Sequence, residues 1–138
     1  MNEKLGAMPM VEGNTLSLLP EYHSSLAAMA AAIRAAHTRV HVEFYIMSFD
    51  EDTQDFFAAL AETRQRGVEV RVLFDHLASL RITGYKDLVA ELNRINVPFR
   101  AMLPLQPWRG VYQRPDLRNH RKLLIVDSTI AFTGSQNI

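Results

Sequence analysis

His120, Lys122, Asp127, Gly134, Ser135 and Asn137 fall within the final stretch of a 138-residue chain, RNHRKLLIVDSTIAFTGSQNI, at the spacing His-x-Lys-x4-Asp-x6-Gly-Ser-x-Asn. An imidazole, an ammonium, a hydroxyl and a carboxamide gathered in one short unit suit a phosphodiester. Its oxygens repel nucleophiles, so a site must neutralise them, supply an attacking group and protonate the leaving alcohol. Lys122 offers a mobile point charge, and Ser135 and Asn137 offer neutral donors to phosphate oxygens. His120 is the side chain of the set that can attack or carry a proton near neutral pH.

The local pattern predicts how these groups are held. Residues 122–126, Lys-Leu-Leu-Ile-Val, read as a strand, Asp127-Ser128 as a turn, and residues 130–133 as a second strand. Residues two apart on a strand share a face, which places His120 beside Lys122. Gly134 is expected to permit a tight bend, after which Ser135 and Asn137 are again two apart.

This spacing resembles the HKD motif of the phospholipase D superfamily. The flanking RNHRKLLIVD, with HVEFYIM and GVEVRVLFD upstream, resembles the bacterial cardiolipin synthase branch, from about Gly13 to the end of the chain. The resemblance implies an α/β fold, a mixed β-sheet flanked by helices in an α-β-α sandwich, that forms one half of a phospholipase D-like enzyme. It implies His120, Lys122 and Asn137 as catalytic, Lys122, Ser135 and Asn137 as phosphate-binding, and Asp127 and Gly134 as structural. In the superfamily the His-orienting carboxylate lies downstream of the motif Asn. The resemblance further implies a phosphohistidine on one motif's His and leaving-group protonation by the His of a second motif, with no metal and no other cofactor.

The upstream chain reads as alternating helices and strands. Residues 16–19 form a short apolar piece suited to an edge strand, after a turn signal at Gly13-Asn14. Pro20 suits the first turn of a helix to about His37, with Leu26, Met29, Ala30 and Ile33 as its apolar stripe. Residues 40–47 alternate, with Val42, Phe44 and Ile46 on one face and His41, Glu43 and Tyr45 on the other. Glu43 and Tyr45 are either a solvated, salt-bridged face or part of the site lining, and a His41–Glu43 metal pair has no third ligand at recognisable spacing.

Residues 53–66 predict a helix, with acidic residues at its start, arginines at its end and Gly67 beyond it. The acidic run at residues 50–52 is thereby a helix-start feature rather than a metal site. Residues 68–74 predict a strand ending at Asp75-His76, which read either as a functional pair at a strand end or as a capped loop. A loop at residues 77–83, a helix at 84–96 with Leu88, Val89 and Leu92 inward, and a short strand at 97–100 follow. Residues 102–115 form a proline-rich loop holding Trp108, Arg109, Tyr112 and Arg114. It reads either as a lid or lipid-facing rim to the site, with Trp108 and Arg109 as lining, or as an ordinary loop anchored by its Trp.

At this length the chain predicts a single domain with a proper core. Lys and Arg total 15 against 15 for Asp and Glu, which argues against a general nucleic-acid binder. Cys is absent, which excludes disulfides, thiolate metal sites and cysteine nucleophiles. No apolar run reaches the roughly 20 residues that cross a bilayer, and the N-terminus lacks the pattern of a signal peptide. Cardiolipin synthases of this type carry N-terminal membrane segments. The expectation is therefore an N-terminal catalytic half cut from a longer membrane-bound enzyme, with its catalytic domain on the cytoplasmic side.

Three readings follow from these observations. The first is a phosphatidyltransferase half that uses phosphatidylglycerol and is completed by a second HKD half of the same polypeptide. The second is a phosphodiesterase or endonuclease completed by a homodimer partner. The third is an inactive half-domain.

Overall fold

The computed structural model describes residues 12–106, 108, 110 and 116–138. Five strands form one mixed sheet: β1 Arg39–Phe44, β2 Glu69–Asp75, β3 Phe99–Met102, β4 Lys122–Val126 and β5 Ile130–Thr133. Their spatial order is β3-β2-β1-β4-β5, with β1, β2 and β3 parallel and β4 and β5 each antiparallel to its neighbour. Parallel neighbours need a crossover. Helix α2 (Gln54–Gln65) connects β1 to β2, and a pair, α3 (His76–Leu80) and α4 (Tyr85–Arg94), connects β2 to β3. Helix α1 (Tyr22–Arg34) precedes β1 and packs along α2.

The alternation of each strand decides which face is covered. Val40, Val42 and Phe44 of β1, Val70, Val72 and Phe74 of β2, and Leu124 and Val126 of β4 are buried. They form one core with Leu26, Met29 and Ile33 of α1, Phe56, Phe57 and Leu60 of α2, and Leu88 and Leu92 of α4. Burying each large side chain contributes about 1.5–3 kcal/mol. The opposite face carries His41, Glu43, Arg71, Leu73, Leu123 and Ile125, which line an open trough of about 540 Å³. A mixed sheet flanked by helices is thus present, and α1, α2 and α4 pack on one face of it.

The helices are joined by polar clamps. Arg34 reaches both Asp55 (2.6 Å) and Glu62 (2.8 Å), and the buried Thr63 hydroxyl donates to Ile33 O at 2.9 Å. Asp50 accepts from Thr53 N and from the Thr53 hydroxyl, so the acidic run does serve the start of α2.

Three sequence expectations change. Residues 16–19 form no strand, and Leu16 and Leu18 are almost fully exposed, because no strand among the described residues offers them a ladder. The stretch after β2 is not simply a loop. The Asp75 carboxylate accepts from Ala78 N at 2.9 Å and so caps a short helix, α3. The strand expected over residues 40–47 also ends early, at Phe44, which leaves Tyr45 just past the sheet.

Candidate active site

The candidate site is built at the C-terminal end of β1, where the run leading into β4 crosses it. Lys122 opens β4 and pairs with Phe44, the last residue of β1. Just beyond, the Tyr45 ring stacks on His120, with centroids 3.9 Å apart and planes 19° apart. Lys122 Nζ lies 5.4 Å from the centre of the same Tyr45 ring and donates to His120 O at 3.0 Å. Such a cation over an aromatic face is held without being neutralised, so its charge remains available to an anion.

Asn137 is brought to the same place by the end of the chain. Ile138 N donates to Ile46 O at 3.3 Å and Ser48 N to Ile138 O at 2.8 Å, which lays the last residues alongside residues 46–48. The Asn137 side-chain oxygen then accepts from Ile46 N at 3.2 Å, one residue from Tyr45. Gln136 is tied to the start of α1 by the Ser25 hydroxyl at 2.8 Å. Three of the motif side chains, His120, Lys122 and Asn137, therefore gather around residues 45 and 46. Ser135 is exposed, two residues before Asn137 in the chain.

Asp127 does something different. It and Ser128 have φ of 51° and 61°, and Thr129 N donates to Val126 O at 3.0 Å, a tight turn joining β4 to β5. Asp and Ser tolerate this left-handed backbone better than branched residues do. The Asp127 carboxylate accepts from His37 N (2.8 Å), Thr38 N (2.8 Å), the Thr38 hydroxyl (2.8 Å) and Arg39 N (2.9 Å). Those donors, the Arg39 amide first, hold its carboxyl far below the usual carboxylate range. It fastens the hairpin to the α1–β1 connection, at the opposite end of β4 from His120.

Gly134 lies in a bend, but its φ is outside the left-handed region and nothing lies within 4 Å of where a Cβ would stand. Neither its backbone nor its neighbours require a glycine. Gly134→Ala is therefore expected to change the melting temperature by no more than about 2 °C. If turnover falls while the melting temperature holds, the space above Gly134 is one that substrate fills.

The other sequence candidates divide. Glu43 is half-buried on the open face, and its Oε1 accepts from Asn119 Nδ2 at 2.5 Å, so it anchors the residue next to His120. Its partner is a neutral amide rather than a cation. Trp108 is 77% exposed, and Arg109 lies outside the described residues, as do Tyr112 and Arg114. Among the described residues no three His, Cys, Asp or Glu side chains form a cluster able to hold a metal ion. No described helix is long and apolar enough to cross a membrane.

A family profile described as "Cardiolipin synthase, PLD-like domain" matches residues 29–138, most of the chain and all of the site. The chain belongs to this family. Among curated relatives of this phospholipase D-like domain, cardiolipin synthase A of Pseudomonas fluorescens (strain SBW25) is 33% identical over 135 residues, which is 98% of this chain and 28% of that protein. Cardiolipin synthase of Geobacillus sp. (strain WCH70) is 29% identical over 98% of this chain and 26% of that protein. The chain thus spans about a quarter of the length of these relatives. Two solved structures share the fold. Nuc from Salmonella typhimurium, a phospholipase D family member, matches with a TM-score of 0.59 at 23% identity, over 80% of this chain and 62% of that one. NucT from Helicobacter pylori matches with a TM-score of 0.62 at 18% identity, over 86% and 70%.

Several contributors to this phospholipase D-like site carry no signal in the motif. Asn119 sits between the motif's flanking arginines, and its contact with Glu43 spans 76 positions. Tyr45 was legible only as one of two candidates on an alternating strand. Its stacking on His120 depends on β1 stopping one residue earlier.

Proposed function

We propose that this chain carries one half of the active site of a phosphatidyltransferase of the cardiolipin synthase type. The observation that carries the reading is the convergence of His120, Lys122 and Asn137 around Tyr45, in a chain whose relatives are named cardiolipin synthases. In this reading a His120 ring nitrogen attacks the phosphorus of phosphatidylglycerol. A phosphorus–nitrogen bond forms, the phosphorus–oxygen bond to glycerol breaks, and the glycerol oxygen takes a proton from the histidine of a second motif. The hydroxyl of a second phosphatidylglycerol then gives up its proton to that histidine and attacks the phosphorus. The phosphorus–nitrogen bond breaks, which releases cardiolipin. The assignment of nucleophile and acid can run the other way between the two histidines.

Lys122 and Asn137, with Ser135, hold the phosphate oxygens throughout; preorganised donors of this kind are worth about 10²- to 10³-fold each. The second motif comes from the remainder of a longer polypeptide, and the complete protein works at the membrane surface. Because this chain carries a single motif, a homodimer acting as a phosphodiesterase is the second reading.

Light scattering on this chain, with hydrolysis of bis(p-nitrophenyl) phosphate, separates them, since a monomer cannot bring two motifs together. The transferase reading expects an inactive monomer here. It expects glycerol release and cardiolipin formation from phosphatidylglycerol vesicles by the complete polypeptide. An active dimer that loses hydrolysis on His120→Ala would replace it with the phosphodiesterase.

A further inference from the structure

We propose that the buried Asp75–Arg118 pair is a positioning device that sets the place of the His120 imidazole; the inference rests on His120 being the reacting group proposed above. Among the described residues the His120 ring nitrogens have no hydrogen-bond partner, and the ring's aromatic contact is Tyr45. Within the described residues the place of the imidazole therefore follows from the main chain on either side, and a carboxylate downstream of Asn137, as the superfamily resemblance implies, would turn the ring without setting that place.

That main chain is pinned at successive residues. Lys122, two residues after His120, is fixed in the sheet against Phe44. Asn119, one residue before, spans from Glu43 Oε1 to Arg121 N, at 2.5 and 3.1 Å. Arg118, two residues before, donates through Nη1 to Asp75 Oδ2 at 3.3 Å and to Leu103 O at 2.6 Å. Its side chain is 4% exposed and that of Asp75 is 0% exposed. The run from Arg118 to Lys122 thus starts over the end of β2, passes the end of β1 at Glu43 and enters β4.

Two features mark the Arg118 anchor as more than a surface ion pair. Asp75 is itself immobilised, as the last residue of β2 and the cap of α3. Leu103, whose carbonyl receives Arg118, has φ of 48°, a left-handed conformation unfavourable for a branched side chain. Such a conformation persists where surrounding contacts over-determine it. A planar guanidinium whose Nη1 is held dry between a carboxylate and a carbonyl is fixed in position, whereas an ammonium on a flexible stem has many geometries. A displacement of the reacting group by about 1 Å is worth about a hundredfold in rate.

The test uses Asp75→Asn, Arg118→Lys and the double variant Asp75→Asn/Arg118→Gln. Asparagine keeps an oxygen for Ala78 N, and the double variant leaves no uncompensated buried charge. In the complete polypeptide each is expected to lower kcat by about a hundredfold per folded molecule, with KM within about twofold. In this chain alone, the NMR shifts of the His120 ring protons carry a ring-current displacement from Tyr45. They are expected to move towards free-histidine values while core methyl signals such as those of Leu60 stay in place.

Wild-type kcat and unmoved His120 signals in a folded variant overturn the inference. So does a failure of all three variants to fold, which makes the pair a folding element. His120→Ala is run alongside: if that variant keeps turnover the proposed function fails, whereas if it is inactive while Arg118→Lys retains full turnover only the positioning role fails.

Discussion

Replacing His120 by alanine is expected to lower turnover of the complete polypeptide by at least about a thousandfold while leaving the chain folded. The expectation has two independent parts. His120 is exposed, and its ring touches Tyr45 without burying either, so its loss falls in the class of surface changes worth within about 0.5 kcal/mol. The chemistry does not survive in the same way. In the proposed reaction Lys122 and Asn137 would still hold a phosphate, but neither an ammonium nor a carboxamide replaces an imidazole as attacking group or proton carrier near neutral pH. Substrate affinity should therefore fall little while kcat collapses. Thermal melting and steady-state kinetics on the same preparation check both halves, and turnover within tenfold of wild type would remove His120 from the reaction.

The legibility of this molecule in its sequence follows the range of the forces involved. β4 and β5 were readable to the residue, because hydrophobic alternation and an Asp-Ser turn are local signals. The helices α1, α2 and α4 were readable from their apolar stripes, with ends displaced by a few residues. What was not readable depends on partners far away in the chain. Helix α3 exists because Asp75 caps it, and five residues are too few to show a helical period. The exposed run at residues 16–19 looks like a strand locally and finds no ladder. At the site, the motif spacing announced His120, Lys122 and Asn137, but their supports are long-range. Arg118 meets Asp75 across 43 positions and Asn119 meets Glu43 across 76. The motif singles out candidate groups, and the fold supplies where they stand.

The same division gives Asp127 its own test. Asp127→Asn is expected to lower the melting temperature by several degrees at neutral pH, with turnover per folded molecule unchanged. Asparagine tolerates the left-handed backbone at this position, so the substitution tests the side chain alone. The carboxylate accepts four hydrogen bonds from residues 37–39, three on Oδ1 and one on Oδ2, whereas a carboxamide has one oxygen and turns its NH2 group towards the His37 N–H, a donor it cannot satisfy. The pH dependence adds a sign. The folded carboxyl titrates far below the unfolded value of about 3.9, so its contribution is complete above that value and is lost as pH falls towards the folded one. The gap in melting temperature between wild type and variant should accordingly be constant from about pH 7 to about pH 5 and close as the pH is taken down to about 2. Differential scanning calorimetry across that series measures it directly. A gap that widens in acid, or a loss of turnover at an unchanged melting temperature, would move Asp127 from the scaffold into the chemistry.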